Sequence, residues 1–283
     1  MNKFLLFFVL ISLSCDTGDL KVVADLPTTL NEVSGTEIAV NSNLIWTLND
    51  SGNASKLYGI NDVGTIEKEL KINAKNNDWE DLTSDKEGNI YIGDFGNNVS
   101  KRKNLAILKV SKDSLNNTSE INIERISFHY PKQKKFPPKK KQLYFDCEAF
   151  FYFNDSLYLF TKSRVKNDFG KTNLYKIPAI QGNHKAQFVS SFNTCNDMNC
   201  WVTSADISAD GKQIALLTPK AVWIFSQFEN DSFFGGKIIE HDFGFESQKE
   251  GVCFKNKNTL LITDEKAHGT GGNMYEFQLK PKP

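Results

Sequence analysis

One short pattern recurs five times along the 283-residue chain and constrains its fold more than any other feature. In each copy a polar Ser or Glu opens an apolar run, a short turn follows, and a second apolar run completes the pattern of a β-hairpin. The opening residues are Ser34, Glu80, Glu148, Ser204 and Glu250. Such a series predicts an architecture of repeated hairpins.

The spacing of the copies indicates which architecture this is. Asp94, Lys162, Thr218 and Asp264 each stand 14 positions after the opening residue of their copy, and Asp50 stands 16 after Ser34. Successive copies begin 46, 68, 56 and 46 residues apart, at or above the length of a four-stranded propeller blade. No stretch has a convincing helical period. The sequence therefore predicts an all-β, five-bladed β-propeller, with six blades as the alternative if the long tail of the second copy hides another.

The two ends of the chain predict how the ring closes. Residues 21–26 read as a strand with no hairpin partner before it, and the last copy ends after residues 274–279. An N-terminal strand that completes the last blade removes an exposed edge. We therefore expect residues 21–283 to form a single propeller domain.

Residues 1–15 are typical of an export signal, with Lys3, an apolar centre too short to span a bilayer, and small residues before Cys15. The ending Ser12-Leu13-Ser14-Cys15 resembles a bacterial lipoprotein signal, which implies a lipid on Cys15 and a short tether over residues 16–20. The alternative is ordinary signal cleavage nearby. This predicts an extracytoplasmic protein that is lipid-anchored to the bacterial cell envelope, at the outer membrane or cell surface.

The other cysteines fall into two classes. Cys195 and Cys200 flank a polar loop, and export to an oxidising compartment favours a disulfide between them. Cys147 and Cys253 lie inside predicted strands, where a buried, apolar role is favoured over a ligand or nucleophile.

The charge balance argues against a nucleic-acid polymer as partner, because 34 basic side chains match 34 acidic ones. Residues 132–141 are basic around Pro137 and Pro138, which cannot continue a strand. We interpret them as a solvated loop rather than an anion-binding patch, because no aromatic platform accompanies them in the sequence.

The five opening residues suggest a metal site. The first strand of each blade lines the channel of a propeller, so Ser34, Glu80, Glu148, Ser204 and Glu250 are expected to converge near one level of its axis. Three carboxylates brought together raise each other's pKa or hold a cation. Oxygen ligands without His or Cys suit calcium, and Asp78 nearby would support the site. The alternative is that these residues hydrate the channel or hydrogen-bond to neighbouring strands.

The order Ser, Glu, Glu, Ser, Glu, with the motifs Asp146-Cys147-Glu148-Ala149 and Lys249-Glu250-Gly251-Val252, resembles the calcium-activated nucleotidases of the apyrase type. The resemblance implies a five-bladed propeller whose central calcium is bound by the five opening residues. Residues 46–52 and 76–81 also resemble segments of uncharacterised exported bacterial propellers, which imply no activity.

The end of each second strand returns to the face where the first began, so the residues there should ring the channel opening. These are Asp50, Asp94, Lys162, Arg164, Lys220, Asp264, Glu265, Lys266 and His268. A small phosphorylated ligand would contact Lys162 and Arg164, with Asp50, Lys220 and Lys266 as further contacts. Asp94 or Asp264 would position water as the catalytic residue. The alternative is that loop ends are charged simply because they are exposed.

Two functions follow from these features. The first is a calcium-dependent hydrolase of nucleotides or other phosphate esters. The second is a non-catalytic module with a structural calcium, which binds a glycan, a peptide or another envelope component.

Overall fold

The computed structural model describes residues 16–116, 120–267 and 269–280. The predicted signal segment with Cys15, and His268 of the predicted rim, lie outside these residues. Within the described ranges the chain forms 21 strands in five sheets. No helix in these ranges has the length and apolar character needed to cross a bilayer.

The strands follow the repeats. The first is β1 (Lys21–Asp25), and the first blade holds β2 (Val33–Glu37), β3 (Ile45–Asn49), β4 (Lys56–Ile60) and β5 (Ile66–Lys71). The second blade holds β6 (Trp79–Ser84), β7 (Ile90–Asp94), β8 (Ala106–Val110) and β9 (Glu124–His129). Next come β10 (Asp146–Phe153), β11 (Ser156–Lys162), β12 (Lys171–Pro178), β13 (Gly182–Lys185) and β14 (Gln187–Asn193), of which all but β13 form the third blade.

The remaining strands complete the ring. The fourth blade holds β15 (Ser204–Ile207), β16 (Gln213–Leu217), β17 (Ala221–Ser226) and β18 (Lys237–Asp242). The fifth holds β19 (Lys249–Asn256), β20 (Thr259–Asp264) and β21 (Asn273–Gln278), together with β1. Short 3-10 helices occupy Thr28–Leu30, Lys112–Asn116, Lys140–Gln142, Met198–Cys200 and Phe233–Gly235.

The N-terminal strand closes the ring as predicted. Strand β1 pairs antiparallel with β21, from Lys21 opposite Glu276 to Asp25 opposite Asn273. The prediction of a five-bladed propeller is therefore confirmed. The six-blade alternative is wrong, because residues 130–145 form a loop with one 3-10 turn and add no sheet. Leu20, in the stretch interpreted as a tether, is buried in the core between the fourth and fifth blades.

One pairing was not predicted. Strand β13 leaves the third blade and runs parallel to β9, with Gly182 opposite Ile126 and Lys185 opposite His129. It makes the second blade five-stranded and covers its outer edge. An uncovered edge would offer unpaired backbone groups to other chains, and β13 removes that exposure. Because β13 follows directly after a strand of the third blade, it also links the second and third blades.

The core lies between the blades. Five apolar clusters occupy the five interfaces between neighbouring blades. Aromatic pairs join blades two to three, with Phe95 and Phe150 centroids 5.1 Å apart, and blades four to five, with Phe243 and Phe277 also 5.1 Å apart. Cys147 and Cys253 are buried, as predicted.

The innermost strands β2, β6, β10, β15 and β19 contact one another around the channel and run in the same direction. Two hydrogen bonds between β2 and β6 show this direction. Ser34 donates to the Glu80 carbonyl near the start of both strands, and Glu37 accepts from Ser84 near the end of both. We call the end of the channel where these strands begin the upper end. The end where they finish is the lower end.

Candidate functional site

A cavity of about 690 Å³, here called the upper cavity, opens at the upper end of the channel. Its volume suits a small-molecule ligand. The lining residues are Ser34, Asp50, Glu80, Asn98, Glu148, Lys162, Arg164, Met198, Asn199, Trp201, Thr203, Pro219, Glu246, Ser247, Gln248, Glu250, Glu265, Ala267 and Thr270. Four of the five predicted ring residues are therefore in this lining.

A β-bulge at the start of each of four innermost strands directs these side chains. The bulges lie between Ser34 and Thr36, Trp79 and Leu82, Cys147 and Ala149, and Lys249 and Gly251. A bulge inserts an unpaired residue and re-aims the side chains around it. Gly35 is required at the first bulge, because its φ is +66° and a Cβ there would lie 2.7 Å from the Leu82 amide nitrogen.

Ser204 is not part of this lining. It is fully buried, its hydroxyl donates to Asp81 Oδ1 at 3.0 Å, and it accepts from the Val252 amide at 3.1 Å. The Ser34 hydroxyl likewise donates to the Glu80 carbonyl oxygen. Both hydroxyls therefore connect neighbouring strands, which was the alternative interpretation of the ring.

Three carboxylates gather on one side of the upper cavity. Ligand oxygens of Asp50, Asp78 and Glu80 all lie within 4.8 Å of one another. Asp50 follows β3, Asp78 precedes β6, and the β6 bulge turns Glu80 toward both. Gly96 makes room for them, because a Cβ there would lie 1.9 Å from Glu80 Oε1 and 2.7 Å from Asp78 Oδ2.

The electrostatics of this trio, here called the acidic cluster, are unfavourable without a cation. Burial, followed by the charges of Glu148 and Asp50, raises the pKa of Glu80 well above its usual range. Burial also raises the pKa of Asp50 to about 6, although the Ser51 amide opposes the shift. The pKa of Asp78 is raised by burial against the opposing charge of Arg102. A buried acidic cluster of this kind can hold a metal ion, and its hard oxygen donors suit calcium or magnesium.

Glu148, on the innermost strand of the neighbouring third blade, stands in a different environment. Lys162 Nζ lies 3.0 Å from Glu148 Oε2, and an Arg164 nitrogen lies 3.1 Å from Oε1. Arg164 also bonds to Asp146 Oδ2 at 2.6 Å. Burial alone would raise the pKa of Glu148, but the two cations outweigh it and lower that pKa. Glu148 is therefore already neutralised by side chains of its own blade.

Trp201 borders both cations and was missed by the sequence reasoning. Its ring centroid lies 5.1 Å from Lys162 Nζ and 4.7 Å from Arg164 Cζ, and its indole nitrogen donates to the Ser163 carbonyl at 2.7 Å. It follows directly after the disulfide between Cys195 and Cys200, whose Cα atoms are 5.7 Å apart. A tryptophan next to a paired cysteine in a loop was the available signal.

The predicted rim is only partly observed. Asp50, Lys162, Arg164 and Glu265 line the upper cavity, whereas Lys220 and Lys266 are outside its lining. Burial, followed by the charge of Asp50, raises the pKa of Glu265 to about 7.

Asp94 and Asp264 do not reach the cavity, so their expected place on the rim is corrected. Asp94 has no exposed surface and accepts from Arg102 at 2.7 Å and from the Asn77 amide at 2.8 Å. Asp264 is equally buried and accepts from the Tyr275 hydroxyl at 2.8 Å. Both stand on second strands, one layer away from the channel, where Arg102 pairs with Asp94 and hydrogen bonds stabilise Asp264.

Below the cavity the channel is closed by carboxylates of another kind. Asp81 accepts from the amides of Leu82, Phe150 and Ala205 and from the Ser204 hydroxyl, so it joins three blades. Burial still raises its pKa well above the usual range.

Two more carboxylates occupy the lower end. Asp206 accepts from the Ile207 and Phe254 amides at 2.7 Å each, and burial raises its pKa to about 7 against those bonds. Glu37 accepts from the Ser84 hydroxyl at 2.8 Å, and burial, followed by Asp206, raises its pKa well above the usual range. These groups connect neighbouring innermost strands.

Comparison with known proteins gives the fold and no family. No protein-family model and no curated protein matches the sequence. The structure is similar to the gluconolactonase XC5397 from Xanthomonas campestris, with a TM-score of 0.50 and 10% identity over 94% of this chain and 92% of that one. At this identity the likeness supports the propeller fold alone, and nothing assigns the chain to the apyrase family.

Two lyases are more distant matches. Virginiamycin B lyase from Staphylococcus aureus aligns with a TM-score of 0.41 and 14% identity, over 90% of this chain and 69% of that one. A streptogramin B lyase aligns with a TM-score of 0.43 and 13% identity, over 93% and 88%. We draw no argument about function from them.

Proposed function

We propose that the upper cavity binds a calcium ion on the acidic cluster and hydrolyses a small phosphorylated ligand held between that ion and the neighbouring wall formed by Lys162 and Arg164. The observation that carries this proposal is the position of three carboxylates, one buried and two half-buried, whose ligand oxygens lie within 4.8 Å of one another. They face a cavity of about 690 Å³ whose lining also includes Lys162 and Arg164. A ligand with a phosphate group matches both walls.

The proposed chemistry uses residues of the lining. A bound calcium ion supplies charge stabilisation to a phosphate oxygen. Arg164 would orient another phosphate oxygen, and Trp201 would cover an apolar or ring-shaped part of the ligand. Glu265, whose pKa is raised to about 7, replaces Asp94 and Asp264 as the candidate base for the attacking water.

A second candidate function is a non-catalytic binding module with a structural calcium. The observation in its favour is that Lys162 and Arg164 are already paired with Glu148 and Asp146. Paired cations attract a phosphate less strongly than free ones, so the cavity would then suit a glycan, a peptide or another envelope component.

We further propose that the protein is exported and attached to the cell envelope through a lipid on Cys15. The signal-like composition of residues 1–15 supports this location. The disulfide between Cys195 and Cys200 also supports it, because such bonds persist in oxidising compartments.

The test compares metal binding with turnover. The native protein is expected to contain calcium by mass spectrometry and to release phosphate from a panel of nucleotides and sugar phosphates. Glu80→Gln should lose both properties, whereas Glu265→Gln should keep calcium and lose turnover. Glu87→Gln, which changes an exposed carboxylate in the β6–β7 turn, is the matched control and should keep both.

Two results would overturn parts of the proposal. If the native protein binds calcium but releases phosphate no faster than Glu265→Gln does, the hydrolase function fails and the binding module remains. A native protein without calcium, whose stability is unchanged by added calcium, would remove the ion from both functions.

A further inference from the structure

Two loops at the upper end form a surface of unusual charge, here called the basic rim. They comprise residues 97–104, between β7 and β8, and residues 131–142, between β9 and β10. Neither contains an acidic residue. Their exposed lysines are Lys101, Lys103, Lys132, Lys134, Lys135, Lys139, Lys140 and Lys141.

The charges of the basic rim are not neutralised by the rest of the described chain. Within residues 16–116, 120–267 and 269–280, none of these eight lysines forms an ion pair, whereas Lys56, Lys176 and Lys255 elsewhere pair with carboxylates. The whole chain has no net charge. The basic rim therefore concentrates positive charge that is balanced only by acids located elsewhere.

The two loops hold each other in place. Gln133 is buried and donates to the Ser100 carbonyl at 2.9 Å, and Lys103 Nζ lies 5.1 Å from the centre of the Phe136 ring. Arg102, between two of the lysines, is fixed to Asp94 at 2.7 Å. The basic rim is thus built on buried contacts and includes the wall of a separate cavity of about 530 Å³.

Apolar side chains project from the middle of this charge. Phe136 is 37% exposed and Val99 is 60% exposed, each in a loop with several lysines. Phe136 lies inside the basic segment itself, so an apolar ring accompanies its lysines. Exposed apolar tips surrounded by lysines are the combination by which protein surfaces enter the headgroup region of a bilayer.

We infer that the basic rim docks onto the surface of a membrane that contains anionic lipids, with Phe136 and Val99 in the headgroup region and the lysines against lipid phosphates. A soluble polyanion would use the lysines but leave both apolar tips in water, so these tips favour a bilayer. This inference does not depend on the hydrolase proposal.

The test is sedimentation with vesicles of phosphatidylcholine, with or without an equal part of phosphatidylglycerol. All variants begin at Asp16, after the predicted export signal, so that neither an acyl group nor the apolar residues of that signal contribute. Changing Lys101, Lys134, Lys135 and Lys139 to Gln should lower binding to the anionic vesicles about 600-fold, since each lysine near such a surface contributes a factor of about five. Changing Lys86, Lys212, Lys237 and Lys257, which are exposed elsewhere, is the matched control and should have little effect.

Phe136→Ser separates a bilayer from a soluble polyanion. It should weaken vesicle binding about tenfold through lost apolar burial, and leave binding to soluble polyphosphate unchanged. The inference fails if the two sets of four lysines have equal effects. It also fails if Phe136→Ser leaves vesicle binding intact, in which case the basic rim binds polyanions through charge alone. Circular dichroism of each variant checks that the propeller is folded.

Discussion

The two ends of the channel carry carboxylates on the same innermost strands, in different surroundings. In the middle and lower channel, Asp81 and Asp206 accept hydrogen bonds from backbone amides of neighbouring blades. At the upper end Glu80 lies beside two other carboxylates, Asp50 and Asp78. One set of acids joins blades, and the other gathers around a cavity.

This difference indicates how to separate structural acids from functional ones in a propeller. Buried carboxylates are expensive, and backbone donors offset the cost at the lower end. The bulge of β6 at the upper end turns Glu80 toward Asp50 and Asp78 instead of toward such donors. The carboxylates of the acidic cluster therefore keep an unfavourable free energy of burial and mutual repulsion, which a bound cation can remove.

The largest expected effect is at the boundary between the two sets. Asp81→Ala should lower the free energy of unfolding by at least about 4 kcal/mol, because three buried amides and the Ser204 hydroxyl lose their acceptor. Glu80→Ala, at the adjacent position, should cost less than about 1 kcal/mol in chelator, because it also removes repulsion. Urea unfolding measures both changes. Equal losses would show that the two positions do not differ as described.

The wall of the upper cavity on the third blade gives the next largest effect. Lys162→Met should cost about 3 kcal/mol, because it leaves the buried Glu148 with Arg164 alone. Adding Glu148→Gln should recover much of that loss, and a double-mutant cycle measures the coupling. If the two single losses simply add, the ion pair contributes nothing to the stability of this wall.

Calcium should act on the upper end alone. When free calcium is about 100 times its dissociation constant, the free energy of unfolding should rise by about 2.7 kcal/mol. Glu80→Gln should abolish this rise, whereas Glu37→Gln at the lower end should retain it. A rise that survives in Glu80→Gln would place the ion elsewhere.

The last expected effect is a change in stability with pH in the presence of chelator. The folded-state pKa values of Asp50, Glu265 and Asp206 are raised to about 6, 7 and 7. The folded state therefore binds protons more tightly than the unfolded chain, so this stabilisation is full below about pH 4 and is lost as the pH rises to about 8. Urea midpoints across this range should fall. Saturating calcium should make the urea midpoint fall less steeply with pH, because Asp50 then binds the ion in place of a proton.

The features that could be predicted from sequence are those that depend on local period. The hairpin repeats placed Glu80 and Glu148 on innermost strands, and the unpartnered strand at residues 21–26 predicted the closure of the ring. Their environments could not be predicted, because they depend on contacts between segments far apart in sequence. Asp50 reaches Glu80 only because a bulge re-aims β6, and Asp94 is buried because Arg102 folds back onto it.

The pairing of β1 with β21 also sets the order in which the molecule can assemble. Strand β1 is the first described strand to be synthesised, and it cannot form its sheet until β21 has been made, because the two lie side by side in the fifth blade. Until synthesis ends, β1 has no partner and the growing array of blades has two open faces. Without this pairing the blades form an open arc, and the upper cavity has its Glu250 and Glu265 wall in place only when the arc becomes a ring.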